Sequence, residues 1–159
     1  RLLMARYREP VYWHIRRLVV SHDDAQDAAQ ETFIRAFRSL GRFKGECSLG
    51  AWIYRIATNE ALRAIERRRG GRVSLDDADA GASRLAADGY VDYSDLEAVK
   101  LQNAILSLPT KQQLAFNLRY YDGLEYDEIA AVTGSTAASA KANYHVAKEK
   151  IIKYMNSTI

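Results

Sequence analysis

On both sides of a central stretch, apolar residues recur at spacings of three and four, and nowhere does the chain sustain the alternation of a half-buried strand. Turn residues point the same way. Two prolines and nine glycines in 159 residues are too few for an all-β chain, which needs a turn signal every ~8–12 residues. The expectation is an all-α chain. With 48% apolar and 27% charged residues, 159 residues can bury a core as one ordinary domain or two very small ones.

The central stretch, GGRVSLDDADAGASRLAADGYVD, mixes Gly, Ala, Ser and Asp without an apolar stripe. It reads as a flexible linker. An ordered loop in which Val73, Leu75 and Tyr90 dock on a lobe is the other reading of the same residues. Charge divides at the same place. Residues 1–69 carry fourteen Lys/Arg against eight Asp/Glu, residues 70–95 carry two against six, and residues 96–159 carry seven against six. The expected organisation is a basic first domain over 1–69, an acidic linker over 70–95 and a second domain over 96–159. Within the second, residues 140–159 hold four Lys and one Glu. Basic lobes around an acidic tether suit polyanionic partners.

In the first lobe, the pattern predicts a helix over Leu2–Val20, with Tyr12, Ile15 or Arg16, and Val19 on one side and Pro10 as a start or kink. Ser21, three residues before Asp24, resembles a capping box and starts a helix from about Asp23 to Leu40. Ala29, Phe33, Phe37 and Leu40 are its expected buried stripe. Asp24, Asp27, Glu31, Arg35 and Arg38 form a second, charged stripe, which pattern alone reads as a solvated face with i,i+4 pairs. Ser48 can cap a third helix, from Leu49 to about Arg69, with Gly70 and Gly71 as its stop. There, Leu49, Ile53 and Ile56 look like core, while Trp52, Arg55, Asn59, Arg63 and Glu66 share another face. With Phe43 in the preceding loop, this face offers rings for stacking, arginines for phosphate and an amide for a base edge. The plainer reading puts Trp52 in the core and pairs Asn59 with backbone.

In the second lobe, Leu96, Val99 and Ile105 or Leu106 mark a helix that ends at Leu108-Pro109, and Thr110 can cap the next, which ends near Tyr121-Asp122-Gly123. The sharpest signal follows. Ala130 is small enough for two helices to approach, and Gly134 can take the left-handed conformation that a tight inter-helix turn demands. Ser135 or Thr136 can cap the last helix. Its expected inward face is Ala140, Tyr144, Ala147, Ile151 and Tyr154. The opposite face carries Ala138, Lys141, Ala142, His145 and Lys148, which suits a helix whose N-terminal half enters a major groove. Lys141 and His145 can reach base edges or phosphates, and the alanines allow close approach to thymine methyls. This is a helix-turn-helix pattern.

With both lobes read, the chain resembles the bacterial extracytoplasmic-function (ECF) sigma factors, the smallest class of the sigma-70 family. The run from Asp24 to Ala36 is similar to that family's D-A-x-D-x-x-Q-E-x-F-x-x-A, and Trp52 to Asn59 to its W-[IL]-Y-R-I-A-x-N. The segment LPTKQQLAFNLRYYDGLEYDEIAAVTGSTAASAKANYHVAKEKI looks like its fourth region. The resemblance implies a region 2 helical bundle and a region 4 helix-turn-helix, joined by a flexible linker. It implies that Asp24, Asp27, Gln30, Glu31 and Arg35 dock on core RNA polymerase, reversing the reading from pattern alone. It implies that Phe43, Trp52, Arg55, Asn59 and Arg63 hold the unwound strand of the minus-ten element, with Asn59 facing a flipped-out base. And it implies that Ser135, Thr136, Ala138, Ser139, Lys141, Ala142, His145 and Lys148 read the duplex minus-thirty-five element of promoter DNA. An anti-sigma factor is the further expected partner. One departure is Ala140, where the family usually carries a β-branched residue. Another is a recognition helix with few arginines, so promoter preference leans on backbone approach and DNA shape.

Other functions find less support. An ordinary helix-turn-helix regulator, without a sigma role, accounts for the second lobe only. An enzyme is remote: His14, His22, His145 and Cys47 have no metal-ligand spacing, no phosphate loop or nucleophile motif is present, and no cofactor is expected. Apolar runs fall far short of the ~20 residues of a membrane span, and no signal-peptide pattern opens the chain. One cysteine excludes an intrachain disulfide, so a cytoplasmic setting is expected. The first residue is Arg1, so the numbering is expected to start within a longer or processed chain.

Overall fold

A computed structural model describes residues 2–19, 21–69 and 95–157, in which every regular element is helical. The first three helices are α1 (Leu2–Leu18), α2 (His22–Ser39) and α3 (Leu49–Arg69), with a 3-10 turn over Leu40–Arg42. The last four are α4 (Leu96–Leu106), α5 (Thr110–Tyr120), α6 (Tyr126–Thr133) and α7 (Ala137–Met155). The expected linker lies outside the described residues, apart from Asp95, whose side chain caps α4.

Short polar side chains set most helix starts. Ser21 Oγ accepts from the Asp24 amide, Ser48 Oγ from the Ala51 amide and Thr136 Oγ1 from the Ser139 amide. Each satisfies one of the amides that a first helical turn leaves without a partner. Thr110 does not act this way: Pro109 occupies the cap position and Thr110 is buried as the first helical residue. Pro10 sits inside α1 rather than starting it. Its ring removes one internal hydrogen bond, at an exposed position where water can replace it.

The first lobe packs α1, α2 and α3 mutually, around Val11, Ile15, Leu18, Phe33, Ile53 and Ala57. The buried stripe of α2 is Ala25, Ala28, Thr32, Phe33 and Ala36. Phe37 and Leu40, expected in that stripe, are 45% and 42% exposed. The small residues let α2 lie close to its neighbours and rotate Phe37 outward. In the second lobe, α7 packs on α4, α5 and α6. Ala140, Ala147 and Ile151 face inward as expected, but Met155, not Tyr154, fills the end of that stripe. Leu96 is likewise open to solvent rather than on the inner face of α4.

The two lobes share a core. Leu114, Leu118, Ile129 and Val132 from the second lobe join the same buried cluster as Ile15 and Ile53 from the first, with α3 packed on α6. Polar bridges cross the seam. Tyr54 Oη donates to Asp122 Oδ1 at 2.9 Å, and Ser48 Oγ donates to Glu128 Oε2 at 2.8 Å. The Arg17 guanidinium lies 4.1 Å from the centre of the Tyr121 ring and 3.8 Å from Asp122 Oδ2.

Candidate nucleic-acid and polymerase interface

On α3, small and apolar residues (Ala51, Ile53, Ala57, Ala61, Ala64) turn inward. The helical repeat then places Arg55, Asn59 and Arg63 in one outward row. Trp52 heads this row. It is half-buried, and its ring packs at 5.0 Å and 35° against Phe43 from the loop that follows the 3-10 turn. Trp52 is thus partly buried against the core, as the plainer reading had it, and partly open. Arg55 and Asn59 are exposed.

Arg63 is not free. It forms an ion pair with Glu60, a carboxylate buried to 4% exposure, and Arg35 Nε of α2 reaches the same Oε2 atom at 2.9 Å. Two cations from different helices share one oxygen. Their charge offsets the desolvation of a carboxylate in the α2–α3 seam. The spacing of Glu60 and Arg63 hinted at their pair; the reach from Arg35 required the fold.

The charged stripe of α2 splits across two faces. Asp24, Glu31 and Arg35 turn toward α3, where Asp24 pairs with Arg68 at 2.7 Å and Glu31 with Arg35 at 3.1 Å. Asp27 and Gln30 instead line an open groove of about 1040 Å³ between α1 and α2. Met4, Trp13, Ile34 and Phe37 supply its apolar wall, and Arg8 and Arg16 its basic edge. Sequence reasoning missed this wall because Phe37 continues the spacing of buried Phe33.

The turn before α7 has the expected geometry. Gly134 adopts φ +69°, a left-handed conformation that side-chain-bearing residues resist. Ser135 Oγ is within 2.9 Å of Thr133 Oγ1, and Thr136 and Ser139 form the cap. Ser135, Thr136 and Ser139 thus build the helix start. Ala138, Lys141, Ala142, His145 and Lys148 are exposed along one side of α7. Among the described residues, neither Lys141 nor Lys148 takes part in an ion pair.

At the lobe seam, His14 is fully buried and shares a 2.8 Å hydrogen bond with Thr58 Oγ1. Burial, with a smaller contribution from the Arg17 charge, lowers its pKa to about 3, so it is neutral near pH 7. Its 4.0 Å approach to Asp122 is therefore no ion pair at that pH. Burial raises the Asp122 pKa, against opposing effects of the Tyr54 hydrogen bond and Arg17. Burial, then Asp122, pushes the Tyr54 phenol upward.

Family models match both lobes. Sigma-70 region 2 matches residues 3–70, and Sigma-70 region 4 matches residues 98–151. The chain is an ECF sigma factor of the sigma-70 family. This sigma factor is 34% identical to the ECF RNA polymerase sigma-E factor of Escherichia coli K12 over 94% of the chain and 83% of that protein. It is 31% identical to the RNA polymerase sigma-H factor of Pseudomonas aeruginosa, over 96% and 83%. Among solved structures it is similar to CnrH in complex with the cytosolic domain of CnrY (TM-score 0.74, 20% identity, covering 99% of this chain and 88% of that one). A second likeness is to the sigma factor RpoE in complex with the anti-sigma factor NepR from Bartonella quintana (TM-score 0.69, 20% identity, covering 99% and 97%). Among the described residues, no helix is long and apolar enough to cross a membrane, and no His, Cys, Asp and Glu cluster is suited to a metal.

Proposed function

We propose that this sigma factor binds core RNA polymerase in the cytoplasm and reads a promoter with two separate surfaces. The observation that carries the reading is the pair of open polar rows, Arg55–Asn59–Arg63 on α3 and Lys141–His145–Lys148 on α7. They belong to different lobes and have different chemistry. The α3 row, headed by the Trp52–Phe43 rings, holds unwound minus-ten DNA. Extruding a base costs a few kcal/mol of unstacking, which a nearby ring and the Asn59 amide offset. The α7 row enters the major groove of the minus-thirty-five duplex, where Ala138 and Ala142 admit the backbone and Lys141 and His145 reach bases or phosphates. Asp27 and Gln30, flanked by Trp13, Ile34 and Phe37, form the polymerase-docking face. Domain limits of 1–69 and 96–159 suit these roles.

Geometry demands that the lobes part. The two elements lie roughly 25 base pairs apart, about 85 Å of duplex at 3.4 Å per step. A compact chain of this size has a radius of gyration of roughly 15 Å. The 25 residues from 70 to 94 can reach a similar ~85 Å when fully extended. Tethered binding at two sites then raises the effective concentration of the second contact. An anti-sigma factor would cover the open rows when polymerase is absent; a native pull-down should recover a small protein inhibitor, and recovery of polymerase alone would count against it.

Transcription by purified core enzyme on a random-promoter library tests the division of labour. Asn59→Ala should flatten minus-ten preference, at about 1–3 kcal/mol for a lost base contact, and spare the minus-thirty-five preference. Lys141→Ala with His145→Ala should do the opposite. Unchanged promoter choice in both variants would overturn the assignment.

A further inference from the structure

From the ring contacts of Tyr144, we infer that this side chain sets the rotation of α7 against α5 and α6, and through it the base preference of Lys141 and His145 at the minus-thirty-five duplex. This rests on the assignment of the α7 row to duplex DNA. The Gly134 turn and the Thr136 cap fix where α7 begins. They leave open how far the helix is turned about its own axis, and a small turn moves every side chain of the reading row.

The inward stripe of α7 holds little else that could fix this angle. Its first buried residue is Ala140, where the family usually carries a β-branched residue, and Ala147 follows two turns later. Methyl groups let helices approach closely but give them no ridge to interlock. Between the two alanines stands Tyr144, half-buried, one turn before Ala147 and two turns before Ile151. Its ring stacks on Phe116 of α5, with centroids 5.9 Å apart and planes at 11°. It also packs on Tyr126, the first residue of α6, at 6.2 Å and 54°. Ring pairs have preferred geometries, so two at once constrain both the ring and the helix that carries it. Both partners are themselves held. Phe116 is buried and stacks on Tyr120 at 5.1 Å. The Arg119 guanidinium lies 4.9 Å from the Tyr126 ring centre, and its Nη1 donates to the Leu124 carbonyl at 3.0 Å. Tyr144 touches both apolar clusters, the one shared between the lobes and the one around Ile105, Phe116 and Ile151. It also meets the exposed His145 imidazole in a T-shaped contact, 5.5 Å away at 69°. One side chain thus links the packing behind α7 to a residue of its reading row. A binding row is selective when the side chains behind it hold its geometry. Tyr144 is therefore a positioning residue, acting on DNA through its neighbours.

Holoenzyme reconstituted from the full chain and purified core polymerase tests this, transcribing a library with a constant minus-ten and a randomised minus-thirty-five element. Tyr144→Leu keeps an apolar side chain in the stripe and loses both ring pairs. It should flatten minus-thirty-five preference several-fold, at the positions that Lys141→Ala or His145→Ala also flattens. Tyr144→Phe keeps the ring and should retain the parental preference, since among the described residues no hydrogen bond ties the Tyr144 hydroxyl. An even fall in transcription across all minus-thirty-five sequences, with preference intact, would reduce Tyr144 to packing and overturn the inference. So would a change confined to positions that neither Lys141→Ala nor His145→Ala affects. Where Tyr144→Leu folds poorly, Tyr126→Leu, which leaves the Phe116 stack in place, should flatten the same positions to a smaller degree, and unaltered preference there would overturn the inference. If Lys141→Ala with His145→Ala also leaves minus-thirty-five preference unaltered, the underlying assignment of α7 has failed instead.

Discussion

The first lobe ties its exposed Arg63 in an ion pair, and the second leaves Lys141 and Lys148 without one among the described residues. Arg63 is tied to a buried carboxylate that also holds Arg35. Lys141 and Lys148 stand on an open helix face without an ion pair among the described residues. Under the proposed division of labour, the difference would follow the two forms of DNA. Unwound DNA is floppy, so a fixed protein surface must impose its shape. A duplex brings its own regular groove, into which a helix with exposed, unpaired cations can settle. Fixity in the second lobe lies in the backbone instead, in the Gly134 turn and the Thr136 cap.

Despite that contrast, the lobes share one apolar cluster, beside which the second lobe keeps its own around Ile105, Phe116 and Ile151, and the strongest way to break the comparison is to cut the shared one. Leu118 of α5 is fully buried. Leu118→Ala should cost about 2–5 kcal/mol, and thermal unfolding should remain one cooperative transition moved to lower temperature. Two transitions, with only one displaced, would show that the lobes are independent.

Acid should loosen the seam next. The folded pKa of His14 is lowered to about 3 from 6.5, so its stabilising effect is complete above the unfolded value and fades as pH falls toward the folded one. The loss amounts to about 2 kcal/mol by pH 5. Asp122, with its raised pKa, acts in the opposite sense: its contribution is present at low pH and is lost as pH rises through the folded value. His14→Gln should therefore flatten the fall in melting temperature between about pH 7 and pH 5. An equally steep fall in the variant would place the acid-sensitive group elsewhere.

A smaller effect sharpens the contrast between backbone and side-chain fixity. Thr136→Ala removes the cap of α7 and should cost about 1 kcal/mol. Duplex binding should weaken while single-strand binding holds, as parallel titrations with the two probes would reveal.

Much of this was legible in the residues. Helical spacing gave the helices of the first lobe to within a few positions, and Ser21, Ser48, Gly134 and the Ser135-Thr136 pair marked turns because capping and left-handed backbone depend on local chemistry. The rows on α3 and α7 were visible for the same reason, since a single helix fixes which residues share a face. Misplacements fell where a neighbouring helix decides. Phe37, Leu40, Leu96 and Tyr154 keep the spacing of buried residues, yet each is exposed to solvent.

The sequence by itself determined the helices, their caps, the helix-turn-helix and the order of charged and aromatic side chains along each face, because these depend on residues within one or two turns. Only the tertiary structure decided that Asp27 and Arg35 lie on different sides of α2, that Arg35 and Arg63 share Glu60, and that His14 is buried beside Asp122. Those relations join positions far apart in the chain, and they depend on helix rotation and approach, which the packing of small residues such as Ala28, Ala36 and Ala57 sets.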